Sequence, residues 1–163
     1  MKIAAYLDAG RIRAGVVSSD LQSILPLDLP AAEAAIGAQR VVELLAAGAP
    51  LPATGAPVAL ATVKLVAPLP RPRRNVLCVG KNYHAHAKEF AGSGFDSSAK
   101  SGGDIPQHPI IFTKVPESVI GPDEPIVVPA AVSTAIDYEV ELAVVIGRGG
   151  KGITREAAMK HVW

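Results

Sequence analysis

The chain has few aromatic residues, little charge and almost no cysteine. Phe, Trp and Tyr make up 4% of its 163 residues, so the core has to be built from Val, Ile, Leu and Ala. A single cysteine, Cys78, excludes an internal disulfide and a Cys-based structural zinc site. It stands in the apolar run Val76-Leu77-Cys78-Val79, which reads as a buried strand with an inert thiol. Neither sign of charge dominates. Sixteen Lys and Arg against 15 Asp and Glu leave a formal net charge of +1. Nucleic-acid binders carry a basic excess or stripe, so no nucleic-acid partner is expected. The densest basic stretch, Arg71, Arg73 and Arg74, is interrupted by proline and reads as a polar linker.

Long apolar runs are also broken. Residues 44–63 carry no charge, but Pro50, Pro52 and Pro57, with Gly48 and Gly55, interrupt any spanning helix, so no membrane association is expected. Lys2 and Asp8 bring charge too early for a signal peptide, and a cytoplasmic location is expected. What is present is a hydrophobic fraction of 49% with 19% charged residues, enough for a packed core and too apolar for whole-chain disorder.

The pattern predicts a strand at 2–7, a turn at Asp8-Ala9-Gly10 and a second strand at 12–17, together a hairpin. A helix is predicted over 31–47, with Gly48 past its end, and a strand over 63–66. Residues 68–74, three prolines and three arginines, mark a boundary near residue 70. Beyond it the expectations are a buried strand at 75–79, then a helix over 83–91 with Asn82 as N-cap and Gly92 as its stop. The long polar stretch 92–108 is expected to be mobile or functional. Short strands are expected at 109–114 and 125–128, a stronger one at 137–146, and a helix starting within 154–162.

Three constellations could carry chemistry. On a strand over 137–146, Asp137, Glu139 and Glu141 share one face, and Tyr138, Val140, Leu142, Val144 and Ile146 share the other. Carboxylates two apart lie about 7 Å from each other at Cβ and can converge on one ion. Their hard oxygens suit Mg²⁺, Mn²⁺ or Ca²⁺. The alternative is a solvated acidic face. On the helix over 83–91, His86 and Glu89 are three apart and face the same way, as a carboxylate that fixes an imidazole tautomer would. The alternative is an exposed helical pair. Gly147-Arg148-Gly149-Gly150-Lys151-Gly152 matches the dinucleotide pattern G-x-G-x-x-G between a strand and a helix. It follows an acidic rather than an apolar strand, and its last glycine precedes the helix start at Thr154, so nucleotide binding is not expected. Lys151 is followed by Gly152, which excludes a Walker A loop.

From Pro68 onward the chain resembles the fumarylacetoacetate hydrolase family. The resemblance rests on four blocks in order: the run from Val76 through Gly80-Lys81-Asn82-Tyr83-His84-Ala85-His86, then Pro109-Ile110-Ile111-Phe112-Thr113-Lys114, then Ile120-Gly121-Pro122, then the run from Asp137-Tyr138-Glu139-Val140-Glu141 to Gly147. It implies an α+β, predominantly β fold. A small N-terminal αβ domain over 1–70 would precede the first part of a mixed-β roll over 71–163. It implies a metal-dependent enzyme that hydrolyses a carbon–carbon bond in a 2-oxo or 1,3-diketo acid, of acylpyruvate or fumarylacetoacetate type. Family alternatives are oxaloacetate-type decarboxylation, hydration or isomerisation. The alternative of another class is an inactive metal-binding fragment.

The resemblance assigns Glu139 and Glu141 to Mg²⁺ or Mn²⁺, and His86 with Glu89 to activation of water. It places Lys81 and Lys114 near the substrate and makes 92–108 a lid. A third metal ligand, an Asp, would fall beyond Trp163 together with the later strands of the roll, and the full-length form would be a homodimer.

Overall fold

A computed structural model describes residues 1–92, 106, 108–136 and 138–163. By packing, these residues form two compact units: Met1–Pro70 with Ile120–Trp163, and Arg71–Val119.

The first unit is built on a five-stranded antiparallel sheet in the order 58–59, 23–26, 11–17, 2–8, 64–66. β1 (Lys2–Asp8) and β2 (Arg11–Val17) form the predicted hairpin, paired from Lys2↔Val17 to Asp8↔Arg11. The two turn residues, Ala9 at φ 46 and Gly10 at φ 75, both take positive φ, as a tight hairpin turn that matches strand twist requires. β3 (Ser23–Pro26) pairs with β2 and with the short β4 (Val58–Ala59). β5 (Lys64–Val66), predicted over 63–66, closes the other edge against β1. Residues 44–63 contain the end of a helix, a loop, β4 and a 3₁₀ turn at Leu60–Thr62. No helix of the described residues is long and apolar enough to cross a membrane.

The helix predicted over 31–47 is two helices, α1 (Ala31–Ala34) and α2 (Ala38–Ala46). The break is at Gly37, with φ 62 and ψ −138. Its cause lies far along the chain. The Pro68 carbonyl accepts a hydrogen bond from the Ala38 N–H at 2.8 Å, and a β-carbon on Gly37 would come within 2.5 Å of that oxygen. At the far end of α2, Gly48 takes φ 73 and the prediction holds. The Gly48 N–H bonds to the Leu45 carbonyl and the Ala49 N–H to the Leu44 carbonyl, the paired pattern of a glycine-terminated helix. The core is small and aliphatic, with Ala14, Leu27 and Val41 at its centre and Ile3, Val16, Leu29, Leu45 and Leu51 around them.

In the remainder of this unit, Gly121 lies against the backbone of Val66 and Ala67, close enough that a β-carbon would meet the Ala67 nitrogen at 3.0 Å. The strand expected at 125–128 is not formed; those residues are irregular. Asp137 lies outside the described residues. Over 138–145 no ladder is formed either, and Ile146 makes only an isolated bridge to Val162. A strand exists only where a neighbour completes its hydrogen bonds. At the end of the segment, Gly147 and Arg148 donate to the His161 carbonyl and Val145 accepts from the Trp163 N–H. Val140 and Leu142, on the apolar face of the expected strand, are 93% and 81% exposed. The helix expected within 154–162 is short, α4 (Arg155–Ala158), with Thr154 before it. Gly147–Gly152 is thus not flanked by the strand and long helix that a dinucleotide site needs.

The second unit holds the two-stranded antiparallel sheet of β6 (Val76–Gly80) and β7 (Ile110–Lys114), both predicted, and α3 (His84–Gly92). β6 is not the buried strand expected. Leu77 is 70% exposed and Cys78 is half-buried, because a two-stranded sheet leaves its faces open unless other elements cover them. α3 begins at His84, so Tyr83 rather than Asn82 precedes it, and it includes Gly92 instead of stopping before it. The lid expected at 92–108 falls almost wholly outside the described residues.

Candidate functional site

The second unit carries four of the expected site residues on one strand–turn–helix segment and its paired strand. β6 ends at Gly80, and the next residue, Lys81, has φ 53. A non-glycine side chain in that left-handed region is held there against a cost of about 1–2 kcal/mol. The chain then turns into α3. Ala87, fully buried, anchors the helix. His86 and Glu89, three residues apart, stand about one helical turn from each other; His86 is half-buried and Glu89 exposed.

A residue that the sequence pattern did not single out stands between two that it did. The Lys81 Nζ lies over the ring of Phe90, 5.3 Å from its centroid. The His86 ring packs on the same ring, centroids 5.9 Å apart and planes tilted by 36°. The signal was available: His86 and Phe90 are four apart on a helix, and such pairs meet. Lys114 is elsewhere. It pairs with Val76, whereas Gly80, just before Lys81, pairs with Ile110. The two lysines therefore sit at opposite ends of the ladder, with about 13 Å of strand between those ends.

Glu139 and Glu141 belong to the first unit and are exposed. Their carboxylates are hard oxygen donors, and Mg²⁺ commonly takes one or two carboxylates and completes its shell with water. The donor chemistry therefore fits a hard divalent ion. A group of three His, Cys, Asp or Glu side chains able to hold a metal does not occur among the described residues.

These features define an α+β protein, predominantly β, with a lysine, a histidine and a glutamate carried on a strand–turn–helix. The sequence profile of the fumarylacetoacetate (FAA) hydrolase C-terminal domain matches residues 75–163, and the chain belongs to the fumarylacetoacetate hydrolase family. The solved fumarylacetoacetate hydrolase of the psychrophile Exiguobacterium antarcticum superimposes with a TM-score of 0.69 at 32% identity, over 99% of this chain and 52% of that one. The fold is thus that of a fumarylacetoacetate hydrolase, over about half of such a chain. Among curated relatives, the oxaloacetate tautomerase YisK of Bacillus subtilis is 44% identical over 104 residues, 64% of this chain and 32% of that protein. A human mitochondrial oxaloacetate tautomerase is 43% identical over 100 residues, 61% of this chain and 28% of that protein. The match therefore spans about a third of the length of these relatives.

Proposed function

We propose that the protein interconverts the keto and enol forms of oxaloacetate or a closely similar 2-oxo dicarboxylic acid. The observation that carries this reading is the 44% identity to an oxaloacetate tautomerase over 104 residues. It favours isomerisation over the carbon–carbon hydrolysis expected first. In the reaction a C3–H bond of the keto acid breaks and an O–H bond forms on the C2 oxygen; no atom is lost or gained. The His86 imidazole takes the C3 proton and a proton is delivered to the C2 oxygen. Glu89, three residues on, holds the imidazole in the tautomer that can accept the proton. The Lys81 ammonium pairs with a substrate carboxylate as a charge-assisted hydrogen-bond donor. A divalent ion held by Glu139 and Glu141 would supply a Lewis acid for the 2-oxo group.

The test is the decay of enol absorbance in freshly dissolved oxaloacetate, with Mg²⁺ or Mn²⁺, using the longest encoded form of the chain. A rate above the metal-only background, lost in His86→Ala, is expected. A rate at background would overturn the reading.

The second reading is hydrolysis of an acylpyruvate, with His86 and Glu89 activating water. It is favoured by the likeness to a solved fumarylacetoacetate hydrolase over 99% of the chain. Stoichiometric release of pyruvate from acetylpyruvate, without enhanced oxaloacetate enolisation, would establish it instead.

A further inference from the structure

The ring of Phe90 is in contact with two groups that the proposed reaction needs. Lys81 lies over its face, 5.3 Å from the centroid, and His86 packs on it at 5.9 Å. The two contacts have different origins. The histidine contact follows from helix geometry, since residues four apart on α3 are neighbours. The lysine contact spans elements: Lys81 stands in the turn that follows β6 and reaches the helix from a backbone at φ 53. A left-handed lysine costs free energy, so the surrounding structure must hold it there. An aromatic face attracts an ammonium through the ring quadrupole, and that attraction is one such hold.

We propose that Phe90 is a positioning residue: its ring keeps the Lys81 ammonium and the His86 imidazole at a fixed spacing, so that the carboxylate-binding cation and the proton-handling group engage one substrate together. This inference rests on the tautomerase reading above and deepens it. Phe90 itself touches no reacting atom. Its part is to narrow the rotamers of a flexible lysine side chain.

The experiment compares Phe90→Leu, Phe90→Tyr and Phe90→Trp in the longest encoded form of the chain. Leucine keeps apolar bulk and removes the π face, whereas tyrosine and tryptophan keep the face. Two readouts are taken. The first needs no substrate: the methylene signals of Lys81 in ¹³C-lysine-labelled protein, shifted upfield by a ring current in the wild type and in the two aromatic variants, and unshifted in Phe90→Leu. The second is the kinetics of oxaloacetate enolisation. Phe90→Leu raises KM about two- to five-fold, the size of an exposed cation–π contact, while Phe90→Tyr and Phe90→Trp stay near the wild-type KM. A purely structural defect would lower the active fraction, and so kcat, and leave KM in place.

Lys81 signals that do not respond to Phe90→Leu would overturn the proposal, as would a lost shift with an unchanged KM. Equal damage in all three variants would overturn it too, by making the role one of packing. Failure of the underlying reading looks different: a wild type that does not accelerate enolisation at all would remove the reaction, and with it any positioning role for Phe90.

Discussion

The Pro68 carbonyl oxygen lies where a side chain on Gly37 would have to go. The approach is close enough that a β-carbon would stand 2.5 Å from that oxygen, and Gly37 is itself at φ 62 and ψ −138, a conformation open in practice only to glycine. Gly37→Ala therefore meets both a steric and a conformational penalty. It is expected to lower unfolding stability by about 2–3 kcal/mol, read from urea denaturation midpoints at constant m. Gly10→Ala, at φ 75 with open space around it, should cost less because only the conformational penalty applies. A Gly37→Ala protein as stable as the wild type would mean that the Pro68 contact does not set the break between α1 and α2.

Tyr6 is 1% exposed, and burial pushes its phenol above the ordinary tyrosine range; Arg13 opposes the shift and Asp8 adds to it. The folded state thus favours the neutral phenol. That contribution to stability is complete below about pH 10, the ordinary tyrosine value, and is lost as pH rises through the raised folded value. Stability measured from pH 8 to 12 should fall more steeply in the wild type than in Tyr6→Phe. Identical alkaline slopes would show that Tyr6 does not titrate across a buried boundary.

On the proposed reaction, His86→Ala should lower kcat for enolisation by about 10²- to 10⁴-fold, the usual share of a positioned acid–base group. Glu89→Gln should lower it less, since the imidazole remains and loses only its orienting partner. His84→Ala should be nearly silent. If His84→Ala proves the more damaging change, the proton-handling group has been assigned to the wrong histidine.

The carboxylate pair has its own measurement. Titration calorimetry with Mn²⁺ should show binding that the double substitution Glu139→Gln with Glu141→Gln abolishes, because amides lack the charge that holds a hard divalent ion. Unchanged heats in the double variant would place the metal elsewhere.

The sequence by itself determined what depends on neighbours along the chain. The hairpin of β1 and β2 was legible because Asp8-Ala9-Gly10 carries its own turn chemistry between two apolar runs. The end of α2 was legible because Gly48 can take the left-handed conformation that closes a helix. The family was legible because Gly80 to His86 and Glu139 to Glu141 are local motifs. The i,i+3 placement of His86 and Glu89 needed only a helix, and α3 supplies it.

Tertiary structure decided everything that needs a partner from far along the chain. A single helix over 31–47 satisfies local propensity, whereas the break stands where the Pro68 carbonyl bonds the Ala38 N–H. The alternation over 138–146 is a sound strand pattern, but alternation does not supply a neighbouring strand to complete a ladder, and no strand is formed over 138–145. The burial of β6 was overestimated for a related reason: an apolar run reports what a segment could bury, not whether another surface covers it. The contact of Lys81 with Phe90 was equally out of reach, because it depends on a backbone angle that no propensity favours for lysine and that only the turn between β6 and α3 imposes.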